Sequence, residues 1–140
     1  YASRGLGDVY KRQELLEPIK PLLNAGMIFE AIVLMLNNIT ANSVFYKKAL
    51  KLEGAVTFNQ IAMKCVYEMF MNIISEKSTG KKSKYRWLTP EVISTYYAQS
   101  LCFITEGWIA QGMDDIEPKE MAEAYMYLIT RSMDDILSEL

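Results

Sequence analysis

Apolar side chains recur at three- and four-residue spacing through most of the chain, which is the spacing of one face of an α-helix. The clearest run is Val56–Ile74, where polar residues such as Lys64 and Glu68 fall on the opposite face. Its apolar positions are Phe58, Ile61, Ala62, Cys65, Val66, Met69, Phe70 and Ile73. Met27–Leu36 is apolar nearly all round, which predicts a helix buried on several sides. No strand-like alternation and no internal repeat is present, so the pattern predicts an all-α protein.

Proline and asparagine divide the chain before the first apolar helix. Pro18 and Pro21 stand too close together for one uninterrupted helix, so residues 14–24 are interpreted as a helix end and a linker. Asparagine favours the N-cap position of a helix. Asn24 is therefore predicted to cap the helix that contains Met27–Leu36.

Two breaks are predicted in the middle of the chain. Asn42 and Ser43 predict a cap or a kink before a short helix over Val44–Leu52, and Gly54 would end that helix. The segment Glu76–Arg86 is polar, contains glycine and is rich in lysine, which is typical of a loop.

The clearest helix start is at Thr89 and Pro90, because threonine suits the N-cap and proline suits the first helical position. The predicted helix runs to Gln111, and Gly112 suits the left-handed conformation that follows a helix end. Two apolar stripes run along this helix, which indicates that it is covered from two directions. The first stripe is Ile93, Tyr97, Leu101, Ile104 and Trp108, and the second is Val92, Tyr96 and Phe103.

The last predicted helix starts at Glu117 and Pro118 with a weaker cap. Helical spacing of apolar residues continues as far as Leu140, which predicts one continuous helix. Acidic residues crowd its start, where the positive end of the helix dipole favours them, and this interpretation is preferred to a metal site. They are Asp114, Asp115, Glu117, Glu120 and Glu123.

These segments predict an antiparallel bundle of about five helices over residues 25–140. The last two helices carry more apolar surface than one small core covers, which favours pairing with a second copy in a four-helix interface. The residues assigned to this dimer interface are Tyr97, Ile104, Trp108, Tyr125, Leu128, Ser132 and Ile136.

Polar residues on the otherwise apolar helices favour a small-molecule site. Such a site needs an apolar cavity with a few hydrogen-bonding groups. The residues assigned to it are Met35, Gln60, Tyr67, Tyr96, Gln99 and Phe103. The alternative interpretation is an ordinary core, in which methionine fills space and tyrosine forms hydrogen bonds at the edge.

The composition excludes several kinds of chemistry. The chain has 140 residues, a net charge of −2 and no histidine, which excludes Ser-His-Asp and Cys-His catalysis and histidine-ligated metals. Cys65 and Cys102 are too few for a disulfide scaffold and lie among apolar residues, which predicts buried free thiols in a reducing cytoplasm. No apolar run approaches the ~20 residues that span a membrane.

No motif predicts an enzyme, a cofactor or a metal site. Residues 80–83 (GKKS) resemble the end of a phosphate-binding loop, but Ser75 replaces the required earlier glycine and no strand precedes it. Lysine and arginine are concentrated in Lys77–Arg86, next to Tyr85 and Trp87. This basic patch is interpreted as a solvated loop, and contact with an acidic partner or nucleic acid is the alternative.

Residues 1–13 have no hydrophobic period and resemble the conceptual translation of a sequencing-library adapter. The segment is therefore expected to be non-native, with the natural gene cut off upstream of Glu14, and a genuine basic arm is the alternative. The predicted division of the chain is a non-native segment over 1–13, a linker and helix end over 14–24, and one functional domain over 25–140.

The order of several motifs resembles a known family. FYKKAL (residues 45–50) precedes the long amphipathic helix, and Trp108 is followed by Gly112-Met113 and then by PKEMA (residues 118–122). This order resembles the C-terminal domain of the TetR/AcrR family of bacterial transcriptional regulators over Ala25–Leu137. Within the family, it is most similar to the regulators of dihydroxyacetone-kinase operons.

The resemblance implies a helical domain for sensing and dimerisation. In this family an N-terminal helix-turn-helix binds operator DNA, and the C-terminal helices dimerise and often enclose an effector. The chain would then be a cytoplasmic fragment that forms a homodimer, senses a small-molecule or protein effector, and reaches DNA only through a missing N-terminal domain. It would have no membrane partner, no cofactor and no catalytic activity. A helical homodimerisation module without a small-molecule pocket is the alternative.

Overall fold

A computed structural model describes residues 14–51, 57–78, 80 and 82–140. Its helices are α1 (Lys20–Asn24), α2 (Ile28–Ala41), α3 (Ser43–Leu50), α4 (Phe58–Lys77), α5 (Pro90–Ala110), α6 (Pro118–Thr130) and α7 (Met133–Glu139). The described residues contain no strand, so the all-α prediction is confirmed. The adapter-like segment 1–13 and the predicted helix end at Gly54 lie outside the described residues.

The chain divides into two compact units. The first unit contains the residues up to Ser43 together with Met113–Leu140, and it therefore includes α1, α2, α6 and α7. The second unit is Val44–Gly112, which includes α4, α5 and nearly all of α3. The domain predicted over 25–140 contributes to both units.

The core of the first unit is centred on α2, which packs against α6 and α1. The residues that α2 buries are Ala31, Ile32, Met35, Leu36 and Ile39. On the neighbouring helices, α6 buries Ala122 and Tyr125, and α1 buries Leu23. The predicted burial of the Met27–Leu36 run is confirmed for its centre, whereas Met27 itself is exposed.

The second unit is organised by the packing of α4 against α5. Asn59 Nδ2 donates a hydrogen bond to Glu106 Oε2 at 2.7 Å, and the ring centroids of Phe70 and Tyr97 lie 5.9 Å apart. Asn59 is near the start of α4 and Glu106 is near the end of α5, so the two helices run antiparallel. The amphipathic helix predicted over Val56–Ile74 is confirmed as α4.

The break predicted at Asn42 and Ser43 is confirmed. Asn42 is the C-cap of α2, its side-chain Nδ2 donates to the Asn38 carbonyl oxygen at 2.9 Å, and α3 begins at Ser43. Within the second unit, α3 places the buried Tyr46 ring 6.1 Å from the ring of Phe58.

Side-chain caps set the starts of the two long helices. Thr89 Oγ1 accepts a hydrogen bond from the Val92 N–H at 3.2 Å, which confirms the predicted start of α5. After this helix, Gly112 has the expected left-handed φ of 98°. In α4, Thr57 Oγ1 accepts from the Gln60 N–H at 3.2 Å, and Gln60 Oε1 accepts from the Thr57 N–H at 2.8 Å. This reciprocal pair is a capping box.

The predicted cap at Asn24 is wrong. Asn24 is the last residue of α1, and Gly26 turns the chain with a φ of 79° before α2 begins after Met27. Pro21 lies in the first turn of α1, a position that proline favours because the missing N–H would have no partner in the helix. The proline therefore begins a short helix here, and asparagine is not needed as a cap.

The continuous C-terminal helix is also wrong. After α6, Arg131 and Ser132 are extended, with ψ angles of 148° and 161°. Ser132 Oγ accepts a hydrogen bond from the Asp135 N–H at 3.1 Å and caps α7. A serine cap followed by two acidic residues in the first turn stabilises a new helix start, and this local preference overrides the apolar period.

No single helix of the described residues is long and apolar enough to cross a membrane. Only the broken pair α2 and α3, taken together, reaches that length and composition. The centre of α2 is a buried core helix.

We expect Thr57→Ala to lower the free energy of unfolding by about 1 kcal/mol, because it removes the acceptor that satisfies the Gln60 N–H. Thr40→Ala is the matched control, since Thr40 bonds the Leu36 carbonyl inside α2, where alanine favours the helix. Urea denaturation followed by circular dichroism measures both variants. Equal losses would contradict the capping role of Thr57.

Candidate functional site

The helix α5 has one buried face and one exposed face. Its buried residues are Ser94, Ala98, Leu101, Cys102, Thr105, Trp108 and Ile109. On the opposite face, Tyr96 is 65% exposed and Phe103 is 77% exposed, and Gln99 is exposed between them. The second apolar stripe predicted for this helix is therefore not buried at Tyr96 and Phe103.

Two hydroxyl groups on the buried face of α5 have no hydrogen-bond partner among the residues that the structure describes. They are Ser94 Oγ and Thr105 Oγ1. Ser94 is completely buried, and the residues beside it on this face are mainly apolar. A buried hydroxyl without a partner is costly. The two hydroxyls lie about three helical turns apart, so each needs a partner of its own.

The two cysteines are buried free thiols, as predicted. Burial, together with the nearby Glu106 and Cys65, raises the pKa of the Cys102 thiol to about 12. The thiol therefore stays protonated at neutral pH. A protonated thiol is a poor nucleophile, so the geometry favours a packing role for Cys102.

The residues assigned to a small-molecule site are distributed over both units. Met35 is buried in α2 of the first unit, and the other five lie in the second unit. Gln60 is exposed, and its side chain belongs to the capping box. Tyr67 is half-buried on α4. The remaining three, Tyr96, Gln99 and Phe103, share the exposed face of α5.

The residues assigned to a dimer interface have different environments. Trp108 is 3% exposed and Tyr125 is 2% exposed, which leaves them almost no surface to offer a partner. Ser132 caps α7. Leu128 is exposed on α6. The others are half-buried, and they are Tyr97, Ile104 and Ile136.

The loop before α5 is basic and carries exposed aromatic rings. Lys82, Lys84 and Arg86 are exposed, and Trp87 is 76% exposed. Lys84 Nζ lies 5.5 Å from the centroid of the exposed Tyr85 ring, within the range of a cation–π contact. We call Lys82–Leu88 the basic loop.

The C-terminal helix α7 is acidic and buries none of its residues. Its contact with α6 includes a hydrogen bond that the Tyr127 hydroxyl donates to Glu139 Oε2. This bond raises the pKa of Tyr127, because the carboxylate stabilises the protonated phenol. Among the described residues, no group of three or more Cys, Asp or Glu side chains is placed to hold a metal ion.

A family comparison identifies the kind of protein that carries these surfaces. The family model for the TetR-type transcriptional regulator C-terminal region matches residues 27–131, about three quarters of the chain. The chain belongs to this family. No curated protein and no solved structure gives a significant match.

Because it belongs to this family, the chain is a TetR-type regulator domain. Domains of this kind are not a class of enzymes. The match agrees with the resemblance in motif order from residue 45 to residue 122. It also agrees with the all-helical fold.

Sequence reasoning missed the environment of individual positions on the regulator domain. It assigned Tyr96 and Phe103 to a pocket, but both are exposed, and it did not single out Ser94. The available signal was the small residues Ser94 and Ala98, four residues apart on one face, which indicate close packing there. Helical spacing alone does not say which face is covered.

We expect Ser94→Ala to raise the free energy of unfolding by about 1 kcal/mol relative to Ser100→Ala. Both serines lie inside α5, so the gain in helix propensity is shared. The Ser100 hydroxyl donates to the Tyr97 carbonyl at 2.8 Å, whereas the Ser94 hydroxyl is unsatisfied. Urea denaturation measures the difference, and a less stable Ser94→Ala variant would contradict the absence of a partner.

Proposed function

We propose that this regulator domain dimerises and senses an effector in a bacterial TetR-type repressor or activator. In the proposal, operator binding belongs to a helix-turn-helix domain of the regulator, and the protein acts in the cytoplasm. The observation that carries the proposal is the two-faced helix α5, with exposed aromatic rings on one side and an unsatisfied buried hydroxyl on the other.

The exposed face of α5 supports dimerisation. Tyr96 and Phe103 are seven residues apart, so they lie on the same side of the helix about two turns from each other. Large aromatic side chains are frequent anchors of protein interfaces, because they bury much area at a small loss of conformational entropy. A second copy that covers Tyr96 and Phe103 would remove both rings from water.

The buried face of α5 supports sensing of a neutral effector. Ser94 and Thr105 offer uncharged hydroxyls, and Ala98 and Leu101 between them are apolar. An effector acts as a signal only if it binds two conformations with different affinity, and typical coupling is ~1–3 kcal/mol. A ligand that bonds Ser94 Oγ in one packing of α5 supplies such a difference.

The proposed dimer is tested by Phe103→Ser. We expect this variant to raise the dimer dissociation constant about tenfold or more, because an exposed aromatic anchor is lost. Val44→Ser is the matched control, since Val44 is also exposed and apolar but lies on α3. Sedimentation equilibrium of the full chain measures both.

Two results of that experiment would contradict the dimer. One is a wild-type chain that stays monomeric up to about 100 µM. Its dimer dissociation constant would then lie far above ~1 µM, the value expected for a specific pair. The other is an equal rise of the dissociation constant in Phe103→Ser and Val44→Ser, because the exposed face of α5 would then contribute no more to dimerisation than α3.

The proposed sensing function is tested by thermal shift with uncharged hydroxylated compounds. A ligand at 100 times its dissociation constant is expected to add ~2.7 kcal/mol to the stability of the fold. Dihydroxyacetone and glycerol belong in the panel because of the proposed relation to dihydroxyacetone-kinase regulators. Ser94→Ala should lose the response while remaining folded, and Ser100→Ala should keep it. No response from any compound would favour the dimerisation module without a pocket.

A further inference from the structure

The basic loop and the end of the chain have opposite charges. The basic loop carries three cationic side chains, Lys82, Lys84 and Arg86, and no acidic one. Residues 113–140 carry eight acidic side chains and two cationic ones. The whole chain has a net charge of only −2, so these two segments depart from it in opposite directions.

Both segments also expose apolar side chains. The basic loop exposes Tyr85 and Trp87, with Trp87 at 76%. In the C-terminal segment, Met133 is 76% exposed, and Leu137 and Leu140 are exposed as well. Cation and aromatic groups on one side, with carboxylates and aliphatic groups on the other, are complementary in charge and in polarity.

The helix α7 has little reason to be stable by itself. It has seven residues and none of them is buried. Isolated helices shorter than ~12–15 residues are marginal in water, and most helical stability in proteins comes from packing an apolar face. The serine cap and the Tyr127–Glu139 hydrogen bond each add local support, but neither covers Met133 or Leu137.

We propose that the basic loop of one copy binds the acidic helix α7 of a second copy. The inference rests on the proposed dimer and names a contact in it besides the exposed face of α5. Lys84 and Arg86 pair with Asp134 and Asp135, and the ring of Trp87 covers Met133 and Leu137. In a twofold dimer the contact occurs twice, because each copy supplies one loop and one helix.

The second copy fits better than a nucleic acid as the partner of the basic loop. Every dimer supplies α7 at the same concentration as the loop, with carboxylates for its cations and aliphatic groups for its rings. A polyanion would meet a chain whose net charge is −2, which gives no overall attraction.

The test is a charge exchange between two full-length variants. The first is Lys84→Glu with Arg86→Glu, and the second is Asp134→Lys with Asp135→Lys. Each variant alone places like charges at the contact, so we expect its homodimer dissociation constant to rise about tenfold. A mixture of the two variants should form heterodimers with near wild-type affinity, because both loop–helix pairs are then attractive.

A matched control separates this contact from the effect of net charge. Lys48→Glu with Lys64→Glu changes the net charge as much as the loop variant does, at two exposed sites outside the contact. Sedimentation equilibrium should show that this control keeps its homodimer and does not pair selectively with the helix variant. The wild-type homodimer should also weaken when NaCl is raised from about 50 to about 500 mM.

Three outcomes would overturn the inference. In the first, the reversed variants dimerise as tightly as wild type. In the second, both are weakened but the mixture does not recover. In the third, dimerisation is unchanged while the loop variant loses binding to duplex DNA or to anionic vesicles, and the loop then has a polyanionic partner.

If Phe103→Ser alone disrupts the dimer, the loop contact fails while the proposed function stands. A wild-type chain that stays monomeric would contradict both the loop contact and the proposed dimer.

Discussion

The packing of α4 against α5 decides what each side of α5 can contact. The Asn59–Glu106 hydrogen bond and the Phe70–Tyr97 ring contact hold the two helices antiparallel. Because a helix advances about 100° per residue, this packing places Tyr96 and Phe103 on the side opposite to Ser94. A rearrangement that moved α5 to satisfy Ser94 would therefore move the exposed aromatic face with it. One rigid element thus joins the proposed sensing and dimerisation functions.

The parts of the fold that sequence predicts well are those set by a few neighbouring residues. Thr89 and Pro90 predicted the start of α5, because both residue types have a specific role in the first turn of a helix. Gly112 was predictable for the same kind of reason, since few other residues adopt a positive φ without strain. Asn24 shows the limit of this reasoning, because a favourable cap residue has no effect when the helix begins elsewhere.

The environment of each helix face could not be predicted in the same way. Helical spacing shows that two residues share a face, but burial depends on which other segment packs there. Trp108 and Phe103 are both aromatic and lie on the same helix, yet one is buried and the other is exposed. The difference arises from contacts between residues that are distant in sequence. An unsatisfied hydroxyl such as that of Ser94 is likewise visible only when its neighbours are placed.

The end of the chain shows local and long-range preferences in conflict. The apolar period predicted one helix to Leu140, and that helix would have kept Ile136 and Tyr125 on one face. The Ser132 cap and the acidic first turn of α7 end that helix and redirect the last residues. The redirected helix leaves Met133 and Leu137 exposed. The proposed partner of opposite charge would cover this unburied apolar face and neutralise the concentrated negative charge of the short helix.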